Sequence, residues 1–199
     1  MSDDRLYAPA TLRNRGPILD ALRPRLPARG LVLEVASGTG EHVAHLAAAL
    51  LHLSFQPTDP DPAHLASIAA WTNDLPNVHP PLALDASAPD WPLRRAEAVL
   101  CINLVHIAPW AATEGLVAGS VRVLPPGGSL ILYGPFKRDG RHTAPSNAAF
   151  DADLRARDPA WGVRDLGEVT RLAGAAGFGA AEVVPLPANN LLVAFRRRA

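Results

Sequence analysis

The sequence predicts an α/β fold: a mainly parallel sheet with helices on both faces, closed by an antiparallel hairpin. Short apolar runs alternate with amphipathic stretches along most of the chain, the pattern of successive strand–helix–strand units. A glycine-rich bend, Ser37-Gly38-Thr39-Gly40, follows the first of these runs. The last two runs, at 181–186 and 191–195, are joined by Pro187-Ala188-Asn189-Asn190, too short for the crossover that parallel strands require. At 199 residues the chain fits one domain, since a folded chain of roughly 150 to 300 residues hides about 70–75% of its unfolded surface. Residues 1–30 read as an N-terminal segment and helix, and 31–199 as the body.

Each element has a local reason. Ile18, Leu19, Leu22 and Leu26 recur at helical spacing, with Pro17 suited to an early helical position and Pro24 interrupting the run. Leu31-Val32-Leu33-Glu34-Val35 reads as a buried first strand. The bend leads into a helix over 41–53, where Val43, Leu46, Ala47 and Leu50 share a face. A second strand at 53–56 is stopped by Pro57, which with Pro60 and Pro62 makes a stiff turn before a helix at 63–71. A weaker third strand spans 78–84, its Pro80 and Pro81 suited to a sheet edge. Residues 98–103 form the fourth strand, 109–123 a helix and 129–133 the fifth strand. Beyond a polar segment at 137–146, helices are expected at 147–157 and 165–176, the second closed by Gly177.

Composition narrows the function. With a formal net charge of zero, no broad positive field favours nucleic-acid backbones or anionic membranes. Arg196-Arg197-Arg198 reads as a solvated tail. Cys101 is the single cysteine, so neither an intrachain disulfide nor a cysteine-rich zinc site is available. No uncharged apolar stretch approaches the roughly 18 residues of a membrane span. Met1-Ser2-Asp3-Asp4 is acidic, without the basic and apolar parts of a signal peptide. The expected location is the cytoplasm and the expected partner a small molecule, with no nucleic acid and no membrane; the oligomeric state is left open.

The chemistry concentrates where strands end. Glycines after a buried strand let the backbone pass close to a ligand, and the helix that follows presents free amide donors. Asp59 lies just beyond the second strand, where a carboxylate can accept hydrogen bonds from ribose hydroxyls. Asp59 also suits a helix N-cap, and Asp61 competes for that role. Asp85 ends the third strand and Asn103 the fourth, and in a parallel sheet the carboxyl ends of the strands line the binding crevice. A nicotinamide site would call for a further glycine where Val43 stands. His42 and His45 have a spacing that can serve metals, but without a carboxylate beside them they read as a solvated helix face, and no metal is expected.

Leu33-Glu34-Val35-Ala36-Ser37-Gly38-Thr39-Gly40 resembles the first motif of class I S-adenosylmethionine (SAM) dependent methyltransferases, with Ala36 standing where that superfamily usually has its first glycine. The closing hairpin is similar to the superfamily's final two strands. More closely, the chain resembles a little-characterised methyltransferase-like family of bacteria and animals (methyltransferase-like protein 26, domain of unknown function 938). That likeness is carried by Arg13-Asn14-Arg15, Gln56-Pro57-Thr58-Asp59, the stretch from Asn103 to Trp110, Tyr133-Gly134-Pro135-Phe136, Ser146-Asn147, Phe150-Asp151 and Pro187-Ala188-Asn189-Asn190. It implies a Rossmann-like class I methyltransferase fold, with a seven-stranded sheet ordered 3-2-1-4-5-7-6 and the last strand antiparallel. It implies SAM as cofactor. The backbone of Ala36, Ser37, Gly38 and Gly40 would pass the methionine part, with Glu34 organising the loop or the amino group. Asp59 would hold the ribose diol, Asp85 the adenine amino group, and Asn103 the methionine amine. The N-terminal segment, with Tyr7, Arg13 and Asn14, would pack on or cover the SAM site.

Methyl transfer is an in-line displacement in which positioning does much of the work, aided by a base when the nucleophile arrives protonated. His106 and Tyr133 are the catalytic candidates: His106 follows Asn103 in the same loop, and Tyr133 ends the fifth strand. His106 equally suits packing beside Trp110. Arg13, His142, Asn147, Asn189 and Asn190 are candidate acceptor contacts, from the N-terminal helix, the polar flap and the hairpin turn. The expected function is methyl transfer from SAM to a small polar acceptor. The alternative is a SAM-binding regulatory or scaffold protein without turnover.

Overall fold

A computed structural model describes residues 4–199. Helix α1 (Pro9–Leu22) precedes β1 (Gly30–Val35), α2 (Glu41–Ala49), β2 (Leu53–Asp59), α3 (Pro62–Thr72), β3 (Leu82–Ala83), β4 (Ala98–Ile102), α4 (Trp110–Val123) and β5 (Ser129–Gly134). A small ribbon, β6 (Lys137–Arg138) and β7 (Arg141–His142), leads into α5 (Pro145–Arg157), α6 (Leu166–Ala175), β8 (Glu182–Leu186) and β9 (Asn190–Arg196). The main sheet is ordered β3-β2-β1-β4-β5-β9-β8. Strands β1 to β5 are parallel, and β9 runs antiparallel to both β5 and β8. Relative to the expected 3-2-1-4-5-7-6, the last two strands take higher numbers because the ribbon lies between them and β5.

Strand side chains alternate between two cores, as a period of two demands. Leu33, Val35, Val99, Cys101, Leu130, Leu132, Val193 and Phe195 pack toward α4 and α6. Val32, Ala98, Leu100, Ile131, Leu192 and Ala194 pack on the other side with Ile18, Leu22, Val43 and Leu46. Both faces are therefore covered, which leaves the carboxyl edge of the sheet as the place for a crevice.

Several elements differ from the sequence expectation. Strand β2 does not stop at Pro57 but continues to Asp59. Pro57 pairs in register with Glu34 of β1, while β3 joins β2 only from Thr58 onward, so the missing N–H falls on an unpaired side. β3 is a two-residue strand, preceded by a single bridge between Phe55 and Val78, because Pro80 and Pro81 break the ladder. The second helix ends at Ala49, short of residue 53. Helix α1 starts at Pro9 and contains Pro17, which is therefore internal and not at an early position. The ribbon turns at Asp139 and Gly140, both with positive φ (51° and 73°). Asp-Gly is a strong hairpin signal that the reading of 137–146 as a plain polar segment passed over.

Candidate functional site

Between β1 and α2 the chain bends through three left-handed residues, Ala36 (φ 59°), Gly38 (φ 57°) and Gly40 (φ 88°). Ala36 thus takes the conformation a glycine would, keeping the bend at a cost of roughly 1 kcal/mol. The bend is fastened to β2: Ser37 N–H donates to Thr58 O (2.8 Å), and Thr58 Oγ1 donates to Glu34 O (2.9 Å). A Cβ on Gly40 would lie 2.7 Å from Ile68 Cα, so glycine there permits α3 to approach, whereas a Cβ on Gly38 would meet no atom within 4 Å.

Asp59 is buried at the end of β2. Its Oδ2 accepts from Gly38 N–H (2.9 Å), while Oδ1 accepts from Asp61 N–H (3.0 Å) and lies 3.0 Å from His64 Nδ1. Asp61 takes the cap role instead, accepting from Ala63 N–H at 2.8 Å. Beside Asp59, Glu34 is 1% exposed and its Oε2 has no partner. Burial raises the Glu34 pKa to about 7, against a hydrogen bond from Ser37 and with the Asp59 charge adding to the rise.

Glu34 and His64 face a cavity of about 210 Å³, whose walls also include Ser37, Gly38, Asn103 and, from α1, Asn14. Ala36 also lines it. Asn103, at the tip of β4, holds φ 66° and donates its N–H to Tyr133 O (2.8 Å). Asn14 Oδ1 lies 2.9 Å from His42 Nε2. His42 is drawn down to about 4, by burial first and then by His45 and Arg15, so it stays neutral near neutral pH. The reading of His42 as a solvated face is therefore corrected: it lines the cavity and ties α2 to α1.

A second cavity, of about 360 Å³, shares Ile107 with the first and is lined by Pro60, Asp85, Ser87, Leu104 and Trp161 among others. Asp85 Oδ1 accepts from both the N–H and the hydroxyl of Ser87 (2.8 and 2.7 Å). The two cavities together collect Glu34, Ala36, Ser37, Gly38, Asn103, Asn14 and Asp85 at one edge of the sheet, with Asp59 bonded to Gly38 behind the wall.

The N-terminal segment runs over α2 and α3. Ala8 N–H donates to Glu41 Oε2 (2.5 Å), Leu6 N–H to Ser67 Oγ (2.8 Å), and Trp71 Nε1–H to Leu6 O (3.0 Å). Ala8, Ala10 and Thr11 then form part of the first cavity's wall.

Other sequence candidates lie apart from both cavities. His106 is 0% exposed, edge-on to Phe136 (4.9 Å between ring centres) and packed where a Cβ on Gly134 would collide with its ring. Burial, then the Arg164 charge, pushes its pKa down to about 3, and Nε2 is without a partner. Tyr133 is 2% exposed; burial raises its pKa while the amides of Asn14 and Asn190 oppose the rise. Arg13 is exposed on α1. Asn147 Nδ2 donates to Thr143 Oγ1 and to Asn189 O (both 3.1 Å), Asn189 Nδ2 reaches Ser146 Oγ (3.5 Å), and Asn190 Nδ2 reaches Pro187 O (3.3 Å), so these amides brace the hairpin turn against α5. His142 Nε2 lies 3.2 Å from Asp151 Oδ2, a carboxylate also paired with Lys137 (2.9 Å) and Arg155 (3.3 Å).

The family described as a protein of unknown function, DUF938, matches residues 5–197. The chain belongs to this family. In the DUF938 chain the fold is that of Rossmann-like methyltransferases. An O-methyltransferase family protein from Burkholderia thailandensis superposes with a TM-score of 0.81 at 18% identity, over 96% of this chain and 58% of its own. Human N-acetylserotonin methyltransferase, solved in complex with SAM, gives 0.78 at 13%, over 96% and 53%. YcgJ from Bacillus subtilis gives 0.71 at 13%, over 94% and 99%. The DUF938 chain spans little more than half the length of the first two. Among its described residues no helix is long and apolar enough to cross a membrane, and no three metal-ligating side chains gather.

Sequence reasoning missed His64, Trp161 and Arg164. His64 carried no motif, yet it sits one helical turn after the Asp61 cap, which turns it back onto Asp59. Trp161 and Arg164 come from a connection distant in sequence, which local patterns cannot place.

Proposed function

We propose that this DUF938 protein is a SAM-dependent methyltransferase acting on a small polar acceptor, and that within the family it belongs to the methyltransferase-like protein 26 type. The observation that carries this reading is Glu34: a fully buried carboxylate with an unpartnered oxygen, set in a cavity with Gly38 and Asn103. Such an atom costs stability unless a donor completes it, and a ligand's ammonium group is suited to do so. Gly38 leaves open space where a side chain would stand, and its N–H holds the Asp59 carboxylate that would take the ribose. Asp59 has N–H donors from Gly38 and Asp61 and the His64 ring at its edges, leaving acceptor capacity on Oδ2 for a ribose hydroxyl. Asp85 offers its second oxygen to an adenine amino group. Bound SAM would supply an electrophilic methyl group on a sulfonium.

On the acceptor side, Tyr133 stays protonated and able to donate, with Asn14 and Asn190 beside it. Asn147 and Asn189 hold the hairpin turn, and exposed Arg13 on α1 and His142 on β7 are the further proposed acceptor contacts. His106 serves this reading best as a positioning residue for the loop after Asn103, since it is enclosed and faces neither cavity. That same enclosure favours a second reading, a SAM-binding module without turnover.

Calorimetric titration of the chain with SAM and with S-adenosylhomocysteine (SAH) tests the first step, and SAH released from SAM in the presence of metabolite extracts tests the second. Binding with release supports the enzyme. Binding without release in any extract supports the module, and no binding by folded protein overturns both.

A further inference from the structure

The second cavity has a wall that the methyltransferase resemblance does not assign. Trp161 lies in the connection between α5 and α6, remote in sequence from every strand tip, yet it lines the cavity with Asp85, Pro60 and Ile107. The segment carrying it is fastened to the loop after β4. Gly162 N–H donates to His106 O (2.9 Å), Arg164 Nε–H donates to Val105 O (2.9 Å), and Arg164 Nη2–H donates to Ala108 O (2.7 Å) and Ala160 O (2.8 Å). Val163 N–H donates to the buried Asp151 (2.7 Å), and a Cβ on Gly162 would press on Asp151 Oδ1 at 2.7 Å. Arg164 further lies 5.8 Å from the centre of the Trp110 ring. Hydrogen bonds on both sides of the indole therefore hold the backbone that bears it against the wall formed by Leu104 and Ile107.

We propose that Trp161 is a base-stacking, affinity-setting residue of the nucleoside compartment, presenting its ring to the purine of SAM while Asp85 takes the exocyclic amine. The proposal rests on the SAM reading and adds to it the part of the chain that recognises the base. An apolar slot with one aromatic wall and one acceptor-only carboxylate suits a flat heterocycle carrying an amino group. Stacking on an aromatic side chain is tolerant of base identity, so the aromatic wall would supply affinity and Asp85 would supply the choice of adenine. The 160–164 segment gains a purpose by the same step. Its hydrogen bonds to 105–108 set the distance between the indole and the opposite wall, which fixes the width of the slot.

The test is SAH titration of the full chain carrying Trp161→Phe, Trp161→Leu and Trp161→Ala, with tryptophan fluorescence followed alongside. Stacking lost on removal of an aromatic ring weakens binding by roughly ten- to a hundredfold. Trp161→Leu and Trp161→Ala should therefore weaken SAH by about that factor, with Trp161→Phe within about threefold of the unmodified chain. SAH should quench the emission of the unmodified chain, and the quench should vanish in Trp161→Phe, which keeps the other tryptophans, Trp71, Trp91 and Trp110. The Phe and Leu variants keep an apolar side chain in place and decide the matter even if the Ala variant fails to fold. Equal SAH affinity in the Phe and Leu variants and the unmodified chain, or a quench that persists in Trp161→Phe, overturns the assignment of Trp161 alone. Absence of SAH binding to the unmodified chain overturns the SAM reading and this proposal with it.

Discussion

Two neighbouring aspartates have different partners, and under the proposed function the ligand falls to one and the helix to the other. Asp59 faces Gly38 N–H and the first cavity's wall, while Asp61 caps α3. Asp59→Asn should weaken SAM roughly tenfold or more, the worth of a charge-assisted hydrogen bond of about 1.5–3 kcal/mol. Asp61→Ala should lower stability by about 1 kcal/mol through loss of the cap, with SAM affinity unchanged. Calorimetry and thermal melts on the pair check both. The sequence offered Asp59 as a ribose acceptor or a helix cap and Asp61 as its rival for the cap, and left the cap between them open, since only the path of β2 through Pro57 decides which one points along the helix. Glu34 gives a second expectation. Its folded pKa of about 7 exceeds the ordinary glutamate value of 4.5, so between the two the folded chain holds a proton that the unfolded chain has released. Stability from this group is present below about 4.5 and is lost as pH rises toward 7, on the order of a few kcal/mol. Glu34→Gln should therefore melt higher than the unmodified chain near pH 8 and equally near pH 4. If the ligand's ammonium sits against Glu34, SAM affinity should rise from about pH 6 to 8 in the unmodified chain and stay level in Glu34→Gln.

At the level of elements, the close crossing of α2 and α3 depends on Gly40. A Cβ there meets Ile68 Cα at 2.7 Å, a backbone atom that cannot swing aside, and φ is 88°. Gly40→Ala should destabilise the fold by about 2 kcal/mol or more, read as a lowered denaturant midpoint with an unchanged slope. The strands were legible in the sequence because buried β-runs such as 31–35 and 98–102 advertise themselves. The sheet order followed from resemblance, and the antiparallel closure from the shortness of 187–190. Edges were less legible: β2 ran past its proline because the partner strand begins later, and the β6–β7 ribbon hid in a segment read only for polarity. Tyr133 and Asn103 were placed correctly at strand tips, but burial of Tyr133 depends on how Asn14 and Asn190 close over it, which is a property of three elements together.

Across the whole molecule, buried titratable groups pull stability in opposite directions with pH. His42 and His106 have folded pKa values of about 4 and about 3, pushed by burial below the ordinary histidine value of 6.5. For each, the unfolded chain binds the proton that the folded chain refuses, so stability is full above about 6.5 and falls as pH drops toward those values. Glu34 works the other way over 4.5 to 7. Between about pH 5 and 6.5 the two histidines outweigh the one glutamate, so the unmodified chain should still gain stability with pH, and Glu34→Gln should gain it about twice as steeply, measured by urea titration at each pH. No single-residue pattern announces this balance. The parts of the site that sequence missed are of the same kind: Trp161, Arg164 and His64 take their places through contacts between distant stretches. The strap over the cavity belongs to this scale too. Residues 6–8 are moored to Ser67, Trp71 and Glu41, and the helix they lead into forms part of the first cavity's wall. A portion of chain that comes early is therefore held by portions that come later, so the wall formed by Ala8, Ala10 and Thr11 depends on α2 and α3 being in place. Loosening those moorings would make a door of what is otherwise a wall, and the rate of ligand entry would then be governed by the strap and not by the chamber behind it.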